Sequence, residues 1–156
     1  MRAVVQRVAR AQVSVEGEIL AAIGSGLLIY LGVAPRDTPE VADHLGQRLA
    51  LLRIFPDPQG KMNHSVLESN GSALVISQFT LFADSRSGHR PSFTDAGSPE
   101  KAGELCRRFA AQLRQQGVRQ VAEGQFGAHM VVDSVNDGPV TIVATSAEAP
   151  WSADAG

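Results

Sequence analysis

The sequence predicts a mixed α/β fold in which largely antiparallel sheets form a barrel-like core with two main helices. Short runs rich in β-branched residues recur along the chain and are separated by Gly, Asn and Asp turn signals. Two other segments repeat apolar residues every three or four positions, which is the helical spacing. About eight strands against two helices indicate much antiparallel pairing.

Bulk properties bound the class of protein. The 156 residues fit a single domain over residues 1–145, and residues 146–156 have no periodicity and are predicted to be a flexible C-terminal tail. A formal net charge of −2 gives no general basic field for nucleic acid or membrane. Because the N-terminus lacks a signal peptide and no apolar run reaches ~18 residues, we expect a cytoplasmic protein.

The first 33 residues are predicted to form three strands. Residues 4–15 make the first, residues 18–23 return after a Glu-Gly hairpin turn, and residues 27–33 form a buried central strand. Arg7 and Arg10 interrupt the apolar character of the first strand. We interpret both as solvated residues on an edge or outer face.

Both helices begin with the same local signal. Thr38-Pro39 and Ser98-Pro99 place an N-cap hydroxyl before a proline, whose missing N–H costs nothing at the first helical position. Their apolar stripes are Val41, Leu45, Leu49 and Leu52 in the first helix, and Leu105, Phe109 and Leu113 in the second.

Residues 73–82 are the most informative run. They follow an Asn-Gly hairpin turn and read as a buried strand that Ser77, Gln78 and Thr80 interrupt. Each buried polar group costs roughly 1–3 kcal/mol if unpaired, so each needs a partner or a role. Alternation places Gln78 and Thr80 on one face, with Ser77 and Phe79 on the other. The end of this strand is a candidate oxyanion site. A polar edge strand with satisfied side chains is the alternative.

Two further segments carry candidate residues. Residues 136–139 form a turn signal between strands at 130–135 and 140–144, and Gly138-Pro139 is open to interpretation as a plain turn. Residues 83–97 form a polar connection that is long enough to be functional or disordered. Its basic residues, together with Lys61, either hold a few phosphates or form a solvated loop.

Several chemistries are disfavoured. The four histidines show no metal-ligand spacing, and no nucleotide or cofactor motif occurs, so we expect no metal and no cofactor. The single cysteine, Cys106, excludes an internal disulfide and lies on the apolar stripe of the second helix. It is interpreted as a core residue rather than a nucleophile.

Residues 77–81 and 136–141 closely resemble the two signature motifs of D-aminoacyl-tRNA deacylase, the D-tyrosyl-tRNA(Tyr) deacylase family. The resemblance runs from Met1 to about residue 143. Supporting stretches are residues 6–8, 13–17, 53–55, 60–63 and 90–93. The resemblance implies the DTD-like fold of that family and a homodimer.

The resemblance also implies a carboxylic ester hydrolase that releases free D-amino acids from D-aminoacyl-tRNA. The tRNA(Ala) that has been mischarged with glycine is also expected to be a substrate, whereas L-aminoacyl-tRNA is expected to be rejected. In this family the Gly-Pro bond is cis and enters the partner's active site, so Gly138 and Pro139 are implied to act in trans as a chiral filter. The expected partners are a second copy of the chain and the 3′ end of aminoacyl-tRNA, with neither membrane nor DNA.

Carried over to this chain, the catalytic segment is Ser77, Gln78, Phe79 and Thr80. The Phe79 N–H is assigned to the scissile carbonyl, and Ser77 and Gln78 to substrate positioning. No His or Lys is placed by the sequence to activate Thr80, and an unactivated hydroxyl is a weak nucleophile. We therefore favour attack by water, assisted by the 2′-OH of the terminal ribose.

Contacts to tRNA are assigned to a few residues. Lys61, Arg86 and Arg90 are predicted to bind phosphates of the acceptor end. Phe126 and Met130 either lie near the adenine or pack in the core. Two other functions stay open on the sequence, namely a non-catalytic RNA-binding dimer and a general esterase with a Thr80 nucleophile.

Overall fold

The computed structural model describes residues 1–146 of the chain. Within that range it contains eight strands, two α-helices and one short 3-10 helix. In chain order they are β1 Arg2–Val15, β2 Glu18–Ile23, β3 Gly26–Gly32, α1 Pro39–Ala50, β4 Phe55–Pro56, β5 Met62–His64, β6 Ser72–Ser77, the 3-10 helix Phe79–Phe82, α2 Pro99–Gln115, β7 Val121–Glu123 and β8 Val131–Thr145.

Strand β1 is the hub of the main sheet. It pairs antiparallel with β2, with β3 and, along most of its length, with β8. Strands β3, β6 and β7 continue the sheet in parallel. The resulting sheet is nearly closed, so the prediction of a barrel-like, largely antiparallel core with two main helices is confirmed. Strands β4 and β5 form a separate small hairpin.

The predicted hairpin before β6 is wrong. Strand β6 pairs in parallel with β3 and β7, and not with the preceding β5. The Gly71 N–H instead donates to the Val66 carbonyl at 2.9 Å, so the turn closes on its own upstream segment. The chain reaches β6 from β3 by a crossover through α1, which is the connection that parallel strands require.

The strand predicted over residues 73–82 ends at Ser77. Its neighbour β3 stops at Gly32, and the Gln78 N–H makes one last bond to the Leu31 carbonyl at 2.8 Å. With no further partner, the chain turns into the 3-10 helix. The alternation of side chains expected beyond Ser77 is therefore replaced by a tight turn.

Residues 131–145 form one strand rather than two strands joined by a turn. Thr141 is opposite Gln6, whereas Asn136 is opposite Val8, so residues 137–140 face only Arg7 on β1. The extra residues bulge out of the ladder, and the strand then resumes. The predicted turn signal is thus an enlarged bulge.

The helices and their burial follow the predicted pattern except at Leu52, which lies beyond the end of α1 at Ala50 and not on its stripe. Thr38 and Ser98 accept hydrogen bonds from the first turns of α1 and α2, each with a proline at the start. Both helices pack on one face of the sheet, and a second cluster fills the space between the two halves of the curled sheet. The largest members of that second cluster are Val8, Val13, Ile23, Leu28, Leu74 and Ile76.

The described part of the chain ends in a contact with its beginning. Ser146 is buried, and its N–H donates to the Met1 carbonyl at 2.9 Å. The remainder of the predicted tail lies outside the described residues. In residues 1–146, no helix has the length and apolar character needed to cross a membrane.

Candidate active site

A cavity of about 780 Å³ opens where β6 ends. Ser77, Gln78 and Phe79 form one wall of it. The opposite walls come from the end of the 83–97 connection, the start of α2 and the segment before β8; these contribute Phe93, Thr94, Ala96, Gly97, Ser98, Pro99, Ala102, Cys106, Phe126, Gly127, Ala128, His129 and Met130. The structure therefore brings three of the four predicted catalytic residues together at a concave site.

The 3-10 helix gives this wall its chemistry. Gln78 is its N-cap residue and makes no side-chain capping bond, and Phe79 is the first residue of the helix. The N–H of a first helical residue has no acceptor inside the helix. Among residues 1–146, no other hydrogen bond occupies the Phe79 N–H. A backbone donor is therefore available at the cavity wall.

Thr80 is placed differently from its three neighbours. It is exposed and is not among the residues that line the cavity. Its Oγ1 accepts a hydrogen bond from Gln78 Nε2 at 2.5 Å. In the described range, no His, Lys or carboxylate forms a hydrogen bond with that hydroxyl. The Thr80 hydroxyl therefore orients the Gln78 amide and lacks a base.

Aromatic side chains form the rim of the cavity. The Phe79 and Phe93 rings meet edge to face with centroids 5.2 Å apart, and Phe79 remains 55% exposed. Phe126 is also exposed and lines the cavity. Met130 both lines the cavity and packs against the second core cluster, so its core contact is confirmed and its place near the adenine stays a prediction. Exposed rings of this kind are suited to stacking on a nucleic-acid base.

The second motif does not meet the first within one chain. The peptide bond between Gly138 and Pro139 is cis, as the resemblance implies. Both residues are exposed on the β8 bulge, and neither lines the cavity. The Asn136 side chain ties the bulge together, since its Oδ1 accepts from the Val140 N–H at 3.2 Å and its Nδ2 donates to Thr141 Oγ1 at 3.0 Å.

The predicted phosphate-binding residues lie outside the cavity. Lys61 is exposed at the β4–β5 hairpin, and Arg90 is exposed in the 83–97 connection. Arg86 forms a bidentate pair with Asp84, at 2.9 and 2.8 Å, and these hydrogen bonds hold the pKa of the Asp84 carboxyl well below its usual range. Much of the Arg86 charge is therefore matched locally.

Comparison with known proteins decides the family. The family model for D-Tyr-tRNA(Tyr) deacylase matches residues 4–145, which is nearly the whole chain. The chain belongs to the D-Tyr-tRNA(Tyr) deacylase family. Its relatives include the D-aminoacyl-tRNA deacylase of Deinococcus deserti, 61% identical over 142 residues, covering 91% of this chain and 97% of the relative. That of Chloroflexus aurantiacus is 56% identical over 148 residues, covering 95% of this chain and 92% of the relative.

Solved structures agree with this assignment. A structure named c-Myc DNA Unwinding Element Binding Protein superposes with a TM-score of 0.88 at 40% identity, covering 94% of this chain and 99% of the other. A probable eukaryotic D-amino acid tRNA deacylase gives a TM-score of 0.77 at 19% identity, covering 91% and 97%. The latter shows the shared fold alone. The fold expected from the deacylase resemblance is thus confirmed.

Arg7 is a residue of this deacylase-family chain whose role the sequence did not reveal. Its side chain is only 13% exposed; Nε donates to the Asp137 carbonyl at 3.1 Å and Nη1 to the Ile54 carbonyl at 2.7 Å. The interpretation of Arg7 as a solvated residue is wrong, because the bulge folds over it. Arg10 is 57% exposed, as expected.

Tyr30 and His129 also line the cavity and were not singled out from the sequence. Tyr30 lies in a run that reads as buried strand, and burial raises the pKa of its phenol, which keeps it neutral. His129 is an isolated histidine with no partner at a recognisable spacing. Among the described residues, no group of three or more His, Cys, Asp or Glu side chains is placed to hold a metal ion.

Cys106 in this family member is expected to resist alkylation. It is buried in the main core cluster, and burial, aided by the Glu123 carboxylate, raises the pKa of its thiol to about 12. At pH 8 the thiolate fraction is therefore far below that of a free cysteine, and iodoacetamide should react at least about 100-fold more slowly than in the unfolded chain. Mass spectrometry of protein treated with and without guanidinium measures this ratio. Equal rates would contradict a core role.

Proposed function

We propose that this protein hydrolyses the ester that joins a D-amino acid to the 3′-terminal adenosine of tRNA, releasing the free D-amino acid and tRNA. Membership of the deacylase family makes the chain an enzyme, a carboxylic ester hydrolase that acts on aminoacyl-tRNA. The observation that carries the assignment to this site is the available Phe79 N–H at the wall of the cavity of about 780 Å³. A cavity of that size is in the range of small-molecule sites and has room for an adenosine with its amino acid.

In the proposed reaction the Phe79 N–H donates to the carbonyl oxygen of the ester as negative charge develops there. Gln78 and Ser77 orient the aminoacyl group, and the Thr80 hydroxyl holds the Gln78 amide through the bond at 2.5 Å. Since no base contacts Thr80, water is the nucleophile. The 2′-OH of the terminal ribose assists the attack and the departure of the 3′ oxygen.

The proposed chiral filter comes from a second copy of the chain. Gly138 and Pro139 are exposed and lie away from their own chain's cavity, so a partner must supply them if they act at the site. On the outer side of β8, Val131, Val135 and Val143 are 59%, 42% and 52% exposed. Such a row of exposed apolar side chains is typical of a contact surface and supports a homodimer.

The filter works by excluding one configuration. A pocket distinguishes a methylene by only about 1–3 kcal/mol, which is weak for proofreading. A main-chain wall at Gly138-Pro139 blocks an L side chain by steric clash and leaves a D side chain or the hydrogen of glycine unobstructed. Glycyl-tRNA mischarged on tRNA(Ala) is therefore a second proposed substrate.

Binding of the rest of the tRNA is modest in this proposal. Lys61 and Arg90 are exposed cations without a hydrogen-bonded partner side chain in residues 1–146, and Arg86 contributes less because of its pair with Asp84. These residues suit an enzyme that reads the acceptor end and not a long duplex. We place the enzyme in the cytoplasm, where its substrate is made, with no role for membrane or DNA.

The test uses one amino acid in two configurations. D- and L-aminoacyl-tRNA carrying the same side chain are incubated with the protein, and loss of the ester is followed over time. Selective loss of the D ester is the expected result. Loss of both esters would favour a general esterase, and loss of neither would favour a non-catalytic RNA-binding dimer.

A further inference from the structure

A second cavity of about 310 Å³ adjoins the first. It lies between α2 and the end of β7, and its lining includes Ser77, Cys106 and Phe126, which also line the larger cavity. The remaining walls are Val75, Gly103, Arg107, Glu123 and Gly124. The two spaces are therefore neighbouring compartments of one surface depression, with the Phe126 side chain at their boundary.

The second cavity carries one cation whose charge is not matched. The Arg107 side chain has no hydrogen bond or ion pair within residues 1–146. The other charged wall, Glu123, is already bound, because its Oε2 accepts from Arg114 Nη2 at 2.7 Å. The adjacent Arg108 is likewise engaged, in a bidentate pair with Asp43 at 2.7 and 2.6 Å. Along this part of α2, Arg107 is the cation left to meet an anion from outside.

A glycine on α2 keeps this space open. A Cβ built on Gly103 would lie 3.5 Å from Arg107 Nη1 and 3.7 Å from the Phe126 ring. The guanidinium and the ring thus flank the position where a side chain would otherwise project. A cation and an aromatic ring on the two sides of a gap are the groups that bind one unit of single-stranded nucleic acid, phosphate on the first and base on the second.

We propose that the second cavity binds the nucleotide that precedes the terminal adenosine of the substrate. Arg107 binds the phosphate that links the two nucleotides, and the base of the preceding nucleotide lies against Phe126. This inference rests on the proposed function, which places the terminal adenosine in the larger cavity. With about 310 Å³, the second compartment is at the lower end of ligand-site volumes and suits one base rather than another aminoacyl-nucleoside.

Binding of two small RNA ligands tests the proposal directly. Adenosine and the dinucleotide cytidylyl-(3′→5′)-adenosine are titrated into the protein, and Kd is obtained from chemical-shift changes. The dinucleotide should bind about tenfold more tightly than adenosine, since it adds a charged phosphate contact. In Arg107→Gln the part of that advantage that comes from the phosphate should be lost and the part from the base on Phe126 kept, while adenosine binding stays unchanged. The salt dependence, as the slope of log Kd against log salt, should fall by about 0.7 for one lost phosphate contact.

Arg119→Gln is the matched control. Arg119 is an exposed arginine just before β7, and the parallel register of Val75 with Glu123 places it at the end of β7 away from Ser77. Arg119→Gln removes the same charge and should leave the affinities for adenosine and for the dinucleotide as in the unaltered protein. Equal affinities for the two ligands, or equal effects of the two substitutions, would overturn the proposal.

A separate arm of the experiment distinguishes this inference from the proposed function. The same variants are assayed with D-aminoacyl-tRNA and with D-aminoacyl-adenosine, which lacks the linking phosphate. Arg107→Gln should raise KM for D-aminoacyl-tRNA about tenfold and leave its kcat unchanged. Both constants for D-aminoacyl-adenosine should stay the same. If the unaltered protein hydrolyses both substrates but Arg107→Gln changes KM for neither, the proposed nucleotide subsite is refuted and the proposed function stands. If neither substrate is hydrolysed, yet the dinucleotide preference depends on Arg107, the proposed function fails and the nucleotide subsite stands.

Discussion

A D-aminoacyl-tRNA whose terminal ribose lacks the 2′-hydroxyl is expected to be hydrolysed at least about 100-fold more slowly than the matching ribose substrate. Loss of one hydrogen bond to a transition state has an effect of this size. The protein offers a donor, the Phe79 N–H, and in residues 1–146 no base forms a hydrogen bond with the Thr80 hydroxyl. The Thr80 hydroxyl accepts a hydrogen bond from the Gln78 amide, and Thr80 is not among the residues that line the cavity. His129 does line the cavity, so this substrate distinguishes assistance by the ribose from a base supplied by the protein. Single-turnover rates with 2′-deoxyadenosine at the 3′ end of the tRNA measure the effect.

Thr80→Val provides the matched test on the protein side. It removes the hydroxyl and preserves the branched shape, so it should lower kcat by less than about tenfold, through loss of the bond that orients Gln78. Full turnover of the 2′-deoxy substrate would refute substrate assistance. Loss of all turnover in Thr80→Val, together with an acyl-enzyme trapped in the unaltered protein, would establish Thr80 as the nucleophile.

Gly138→Ala is expected to lower kcat/KM for the D ester about 100-fold, as a misplaced substrate-positioning group does. Gly138 has φ = 137°, which side chains with a Cβ rarely adopt. Its added Cβ would lie 2.7 Å from Val140 Cγ2 and 2.8 Å from the Val140 backbone nitrogen. The bulge must therefore shift, and with it the wall that is proposed to face the partner's substrate. Steady-state kinetics with the D ester measure the loss.

Gly24→Ala is the control for this change, because a Cβ there meets nothing within 4 Å and the residue has no positive φ. It should retain full activity, and comparable activity in the two variants would contradict the role of Gly138. Action in trans has its own readout. Gly138→Ala and Gln78→Ala are refolded as a mixture. Half of the dimers are then mixed, and each of these has one intact site only if Gly138 acts in trans. About a quarter of full activity should return if the filter acts in trans, and none if it acts in cis.

Local patterns were sufficient for the helices and for the general architecture. The Thr38-Pro39 and Ser98-Pro99 starts are properties of a few adjacent residues, and the structure has both helices where these signals place them. The limits of strands depend instead on distant partners. Strand β6 stops at Ser77 because β3 stops beside it, and no feature of residues 73–82 records where β3 ends.

In the candidate site too, the residues marked by a local pattern could be predicted and those placed by distant contacts could not. Polar residues in an apolar run marked Ser77 and Gln78, and the structure places both at the cavity. Arg7 and Arg107 could not be recognised, because their roles arise from contacts with segments far away in sequence. An isolated arginine in a strand or on a helix looks solvated until the fold shows what lies over it. The β8 bulge lies over Arg7, and the second cavity lies beside Arg107.

The pairing of β1 with β8 has a consequence for synthesis of the protein. Among the described strands, β1 has its longest ladder with β8, so the edge of β1 at Arg2 stays uncovered until Thr145, 143 positions later, has been synthesised. A nascent chain that has already formed α1, α2 and the parallel strands still exposes an apolar groove along β1. High contact order of this kind slows folding and lengthens the period in which chaperones can bind. Pairing of β8, rather than completion of the helices, is thus the step that covers β1.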